Sequence, residues 1–374
     1  MNEEVMHGLT WLPISPADWY ALQALLVAEK PLVAGNYFDD GTFNLADYLS
    51  ASRLGGIDLK ALFDRNLLSP LSELATGASI ATLPASDIRS TRVACAAATF
   101  CIVADILIEP GMAVHEYAST NGNEAAHRDV RQFRIVDNSD PQALMDIALG
   151  RADRLPAEML EKVSADKSIF ASHKQDADFT KRLRMWRPNY LYALKTVSLI
   201  RSGMSKLEAA LELTRWQAEE SFYNGAASLY CLAAISHTPP KGGMFKAIES
   251  DNLKKLAHGL RNATWDISII QQFGRYATVA RVPYWSFWSQ DIAARAVAKA
   301  LLAGDQVSEE AALASFYCTC WGKDSKVLHS AYKEQVRKAD VQSERRGKVV
   351  EAARARLDSD IASLEASLGI QSRL

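Results

Sequence analysis

The stretch IDLKALFDRNLLSPLSELATG, residues 57–77, constrains the fold most. An apolar run of strand length ends at an acid, and a segment with helical spacing begins at once and closes at a glycine. This strand-to-helix step predicts an α/β unit in which Ile57–Asp64 is a buried strand and Asn66–Gly77 a helix. The following segment, ASDIRSTRVACAAATFCIVADIL, has an Asp/Ser start and helical apolar spacing, and reads as one helix. Pro110 and Gly111 break it. MAVHEYAS then reads as a short strand or the opening turn of another helix.

The same alternation returns late in the chain. Asn252–Tyr276 has helical spacing, VPYWSFWSQD reads as a strand, and IAARAVAKALLAG reads as a helix. AALASFYCTCW is compatible with a strand or a buried helix. Strands separated by helices argue for a parallel α/β sheet with inserted helices. In such sheets ligands bind beyond the carboxyl ends of the strands. Functional acids are therefore expected just after apolar strands or at the start of the next helix.

The flanking segments have another character. Residues 1–56 read as a helical extension whose helix ISPADWYALQALLVAEK starts at Ser, Pro and Asp. Residues 121–249 alternate polar loops with helices and read as a helical insertion. Residues 306–374 read as a strand or helix followed by a long, solvent-facing helix rich in Ala, Glu, Lys and Arg. The core is thus expected at 57–120 and 250–305. The insertion or the C-terminal helix would carry contacts to a second copy or a regulatory partner.

Bulk composition excludes several classes. With 48% hydrophobic and 23% charged residues among 374, the chain can bury a sizeable core and is not a disordered polyelectrolyte. A formal charge of −2 excludes a wholly basic nucleic-acid binder, although a local basic groove is compatible with it. The five cysteines form no CxxC pair, so reduced thiols in a cytoplasmic protein are expected over a disulfide framework or zinc site. The acidic N-terminus lacks the apolar core of a secretory signal. The most apolar segment, Val93–Ile108, is short and holds Asp105, so a membrane span is not expected.

Four acids occupy the expected places. Asp64 follows KALF, Glu116 follows Met112–Val114, Asp266 lies within RNATWDISII, and Asp291 follows YWSFWSQ. Each has a structural alternative. Asp64 and Asp291 suit helix N-caps, and Glu116 suits an exposed first turn. Asp266, amid Trp265, Ile267, Ile269 and Ile270, faces either solvent or a site. Asp324 in CWGKDSKVL rivals Asp291 as the fourth acid, but 25 residues from Asp266 to Asp291 fit one helix-strand step better than 58. Asp39 and Asp40 in FDDGT read as a surface turn.

The order hhhDRNhL, P-x-x-A-h-x-E, N-A-x-W-D-h-x-h-h and strand-S-Q-D-helix resembles the PIN-domain nuclease superfamily, over residues 57–120 and 253–303. The resemblance implies a three-layer parallel-sheet core in which Asp64, Glu116, Asp266 and Asp291 hold Mg²⁺ or Mn²⁺, supported by Asn66 and Ser289. It departs from the family in the 150 residues between Glu116 and Asp266. The implied activity is metal-dependent endonucleolytic hydrolysis of RNA, in a toxin or antiviral role. The alternatives are a single-strand or structure-specific DNA nuclease and a silent nucleic-acid-binding or assembly protein.

Hard divalent cations take oxygen ligands, and crowded carboxylates repel one another unless a cation neutralises them. Arg65 and Arg261 flank two of the acids and suit either substrate phosphate or salt bridges. Lys181, Arg182, Arg184, Trp186 and Arg187 combine cations with aromatic rings, which suits single-stranded nucleic acid or, equally, a charged helix with buried rings. His115 and His258 neighbour the acids and read more simply as packed or solvent-facing.

Overall fold

The computed structural model describes residues 14–35, 38, 41, 43–171, 176–241, 244–279, 283–303, 309–341 and 343–370. Asp39 and Asp40 lie outside the described residues. The protein is a mixed α/β chain of two compact units, Met1–Arg182 with Val279–Asp291, and Leu183–Thr278 with Ile292–Leu374.

The first unit is built on a four-stranded sheet. Strand β1 is Leu32–Val33, β2 is Leu59–Phe63, β3 is Ile106–Glu109 and β4 is Tyr284–Trp288, in the order β1-β4-β2-β3. β2 lies parallel to both β3 and β4, with Leu59 opposite Ile106 and Tyr284, and Phe63 opposite Trp288. The LKALF and YWSFW strands are buried almost throughout, as expected of parallel strands covered on both faces. β1 pairs antiparallel to β4. The N-terminal extension, expected to be helical, therefore adds an edge strand after helix α1 (Pro16–Glu29), and the sheet is mostly rather than wholly parallel.

The helix expected over ASDIRSTRVACAAATFCIVADIL ends earlier. Helix α4 (Ala85–Val103) stops, Asp105 turns the chain with φ of 55°, and Ile106–Glu109 becomes β3. Helical spacing alone misses this, because a short apolar run does not show where its period changes from 3.6 to 2. The following MAVHEYAS belongs to helix α5 (Gly111–Asn121). Helix α6 (Asn123–Asp137) packs on α3 (Arg65–Leu74), and α7 (Pro141–Ala148) packs along α4. Residues 121–182, read from sequence as the start of the insertion, thus belong to this unit. Ala94, Ala96, Ala97 and Ala98 keep α4 slim and are buried, while Phe100 meets Trp19, Phe43, Tyr48 and Trp288. Burying each such aromatic contributes about 1.5–3 kcal/mol.

The second unit is helical in its described residues. It holds α9 (Trp186–Arg201), α10 (Lys206–Glu219), α11 (Gly225–Ile235), α12 (Leu253–Val279, all but its last residue), α13 (Ile292–Ala303), α14 (Glu309–Trp321), α15 (Ser325–Val341) and α16 (Ser343–Ser367). AALASFYCTCW is therefore helical. The tail forms two helices, and α16 packs along α9 rather than facing solvent all round, with Tyr190 donating to the buried Glu365 at 2.9 Å. No helix among the described residues is long and apolar enough to cross a membrane.

Candidate active site

Because Phe63 and Trp288 are paired at the ends of β2 and β4, the next residues leave the sheet side by side. The Asp64 amide extends the ladder by donating to the Trp288 carbonyl at 2.9 Å. Asp64 is then the N-cap of α3, and its Oδ1 accepts from the Arg65 amide at 2.6 Å. Its Oδ2 accepts from the Ser289 hydroxyl at 2.6 Å and from Asn66 Nδ2 at 2.7 Å. Asn66 Nδ2 also donates to Ser289 Oγ at 3.1 Å, and Ser289 Oγ accepts from the Asp291 amide at 2.9 Å. The Asn66 carbonyl oxygen Oδ1 accepts from the Gln290 amide at 3.0 Å. Asp64, Asn66, Ser289 and Asp291 are thus one hydrogen-bonded cluster at the carboxyl edge of the sheet.

Its electrostatics follow from burial. Asp64 is 6% exposed, and its three donors are neutral. Desolvation pushes the carboxyl up to about 6; the Ser289, Arg65-amide and Asn66 hydrogen bonds oppose it, and the negative charge of Asp291 adds to it. A buried carboxyl titrating near neutrality at a strand end suits proton transfer or cation capture more than simple capping.

Arg65 does not serve this carboxylate through its side chain. Its guanidinium forms a two-toothed pair with the buried Asp129 on α6, at 2.5 and 3.1 Å, and lies 4.1 Å from the Tyr117 ring centre. The salt bridge expected for Arg65 is to the site acid it flanks; the structure pairs it with Asp129 instead. Asp129 and Gln290 were not anticipated. Asp129 left a signal: it falls on the stripe Ala126, Asp129, Val130 and Phe133, all buried, where an acid requires a partner. Gln290 left none.

The other expected site residues are placed as follows. Glu116 is half-buried on α5, which packs against β2. Asp266 lies in the second unit, half-buried on α12, and accepts from the Tyr230 hydroxyl at 2.8 Å. Asp324 also lies there, 2.8 Å from His237 Nε2. Arg261 is exposed on α12, and His258 is exposed beside Asn262. His115 Nδ1 meets the Phe179 carbonyl at 2.8 Å, and burial lowers its pKa.

Of the two readings of the basic-aromatic segment, the buried-ring one agrees with the position of Trp186. Trp186 is 4% exposed, stacked on Tyr190 with ring centres 5.0 Å apart, so its ring is core rather than a platform for a base. Arg187 is paired with Asp358. Arg184 is exposed.

Among the described residues, no three His, Cys, Asp or Glu side chains gather where they could hold one ion. The donor set that does form, Asp64 with Asp291 flanked by Asn66 and Ser289, still fits a hard divalent cation. Mg²⁺ is commonly bound through one or two carboxylates with its remaining ligands supplied by water and phosphate. The mutual repulsion of the two acids is what a cation relieves. The chain matches no described protein family, no curated protein and no solved structure.

Proposed function

We propose that the chain is a metal-dependent nuclease that hydrolyses RNA phosphodiester bonds at the carboxyl ends of β2 and β4, on a PIN-like core. One observation carries this reading: Asp64 and Asn66, two residues apart, and Ser289 and Asp291, two residues apart and 223 residues further along from Asn66 to Ser289, meet in one cluster beyond parallel strands. RNA as substrate rests on the family resemblance, a toxin or antiviral role on the harm that a loosely specific nuclease does to its own cell, and a cytoplasmic location on the cysteine pattern.

In this reading Asp64 and Asp291 hold Mg²⁺ or Mn²⁺, which when bound supplies a water of lowered pKa and charge relief for the phosphate. Asn66 and Ser289 act as positioning residues, since both anchor the same Asp64 oxygen and fix the carboxylate's orientation. With its pKa pushed up to about 6, the Asp64 carboxyl is mostly ionised well above that pH, and its protonation at lower pH would oppose cation binding. Glu116 and Asp266 join the reading through the resemblance alone.

A second reading has its own support. The Asp64 carboxylate is fully paired with neutral donors and caps α3, which suits a silent nucleic-acid-binding protein that retains the fold. Cleavage of labelled RNA and single-stranded DNA with Mn²⁺ separates the two. We expect wild-type cleavage of RNA and a loss of about 100-fold or more in Asp64→Asn and Asp291→Asn. Undiminished cleavage by both variants would sink the site, and binding without cleavage by the wild type favours the silent protein.

A further inference from the structure

The second unit contains a cavity of about 820 Å³, within the range of small-molecule sites. Its walls combine three arginines, Arg184 before α9, Arg275 on α12 and Arg354 on α16, with the ring of Tyr223 and apolar side chains such as Met185 and Leu313. No Asp or Glu among the described residues lines it. All three arginines are exposed, and none has a hydrogen-bond or ion-pair partner among the described residues. In a chain whose acids outnumber its bases, 44 to 42, this unit also holds arginines paired with acids, Arg187 with Asp358, Arg215 with Glu212 and Arg356 with Asp360. Three arginines on one cavity wall with no acid beside them among the described residues leave a site of uncompensated positive charge.

We infer that this cavity binds a nucleotide, its phosphates gripped by Arg184, Arg275 and Arg354 and its base laid against Tyr223. Guanidinium groups bind phosphate oxygens through paired N–H donors, and three of them match the several negative oxygens of a phosphate chain. Tyr223 lines the cavity and is 47% exposed, which puts its ring within reach of a base, and its hydroxyl meets that of Tyr332. The α11 N-terminus reaches the same cavity at Gly225 and Ala226 and adds its positive end to the arginines' field. The apolar wall explains why the ligand is not a bare anion: inorganic phosphate leaves Met185 and Leu313 uncovered, whereas a base covers them. This inference is independent of the β2–β4 site and stands if that site proves silent.

The test is isothermal titration calorimetry of the full chain with ATP, AMP, adenosine and pyrophosphate. We expect one ATP per chain with a dissociation constant of about 100 μM or tighter, weaker pyrophosphate, and no adenosine binding. Arg184→Ala, Arg275→Ala and Arg354→Ala should each weaken ATP about tenfold. Because these arginines hold no partner among the described residues, the variants should keep the wild-type circular dichroism and melting point. Tyr223→Ala should weaken AMP, while Tyr223→Phe should leave AMP binding intact. No binding of ATP up to about 1 mM overturns the inference. So does ATP binding that all three arginine variants leave unchanged, and equal affinity for ATP and pyrophosphate overturns the assignment of a nucleotide.

Discussion

Gln290 supplies the hydrogen bond that Pro70 withholds from Asn66. Pro70 sits inside α3, where its missing N–H leaves the Asn66 carbonyl four residues earlier without its helical donor. Gln290 Nε2 donates to that carbonyl at 3.3 Å and to the Ser90 carbonyl at 3.0 Å. The residue between the two site positions Ser289 and Asp291 therefore ties β4 to both α3 and α4. A helix defect beside the acid cluster is repaired by the strand that brings the rest of the cluster.

This pairing predicts a coupled response. Gln290→Ala should cost about 1–3 kcal/mol by leaving the Asn66 carbonyl unpaired. Pro70→Ala restores the helical donor and should stabilise the protein. In the Pro70→Ala background, Gln290→Ala should cost less than in the wild type. Urea unfolding of the four proteins measures the difference, and strictly additive effects would show that the two groups do not share the Asn66 carbonyl.

Asp64 predicts a pH dependence of stability. Its folded pKa of about 6 lies above its ordinary 3.8, so protonation favours the native state. Its contribution is fully present below about pH 4 and is lost as pH rises through 6, a change of roughly 2–3 kcal/mol. The melting point of the wild type, less that of Asp64→Asn, should fall between pH 4 and 6.5. A constant difference would place the carboxyl in water. Mn²⁺ should move the wild-type transition to lower pH, since it binds the ionised form.

Arg65 and Asp129 form a buried pair, so removing one partner strands the other. Arg65→Ala should lower stability by about 3–5 kcal/mol, and Arg65→Lys should recover only part of it because an ammonium cannot pair two-toothed. Were Arg65 a phosphate ligand alone, its loss would weaken substrate binding and leave the unfolding midpoint unchanged.

Trp186 separates the two meanings of the KRLRMWRPNYLY segment. Trp186→Ala should destabilise the second unit by about 3–5 kcal/mol through the cavity left beside Tyr190 and Trp265. A variant with wild-type stability and reduced nucleic-acid binding would return the ring to the surface.

Thiol labelling tests the packing of both units at once. Cys318 is exposed, whereas Cys95, Cys101, Cys231 and Cys320 are buried. Burial pushes the Cys231 thiol up to about 12 and the Cys320 thiol up to about 11. A thiolate-selective reagent should label one cysteine in the native protein and all five after unfolding.

Strong local signals were legible in the chain. The apolar run to Asp64, the glycine stop at Gly77, the YWSFW strand and the IAARAVAKALLA helix are all where their residues indicate. Signals that require a neighbour were not legible. Two residues, Leu32 and Val33, form a strand only because β4 offers them an edge. Ile106–Glu109 could not be told from the end of α4, since Ile106, Leu107 and Ile108 continue the apolar residues of the helix.

At the candidate site the sequence by itself determined the types and places of the polar residues: an acid ending each of two strand segments, with Asn66 and Ser289 two positions from them. Those choices are local, set by strand length, capping chemistry and the onset of helical spacing. Only the tertiary structure decided that Ser289 donates to Asp64 across 225 residues, that Arg65 belongs to Asp129, and that Trp186 is core. Each of those outcomes depends on desolvation and on which element packs against which. Neither is a property of a residue's chain neighbours.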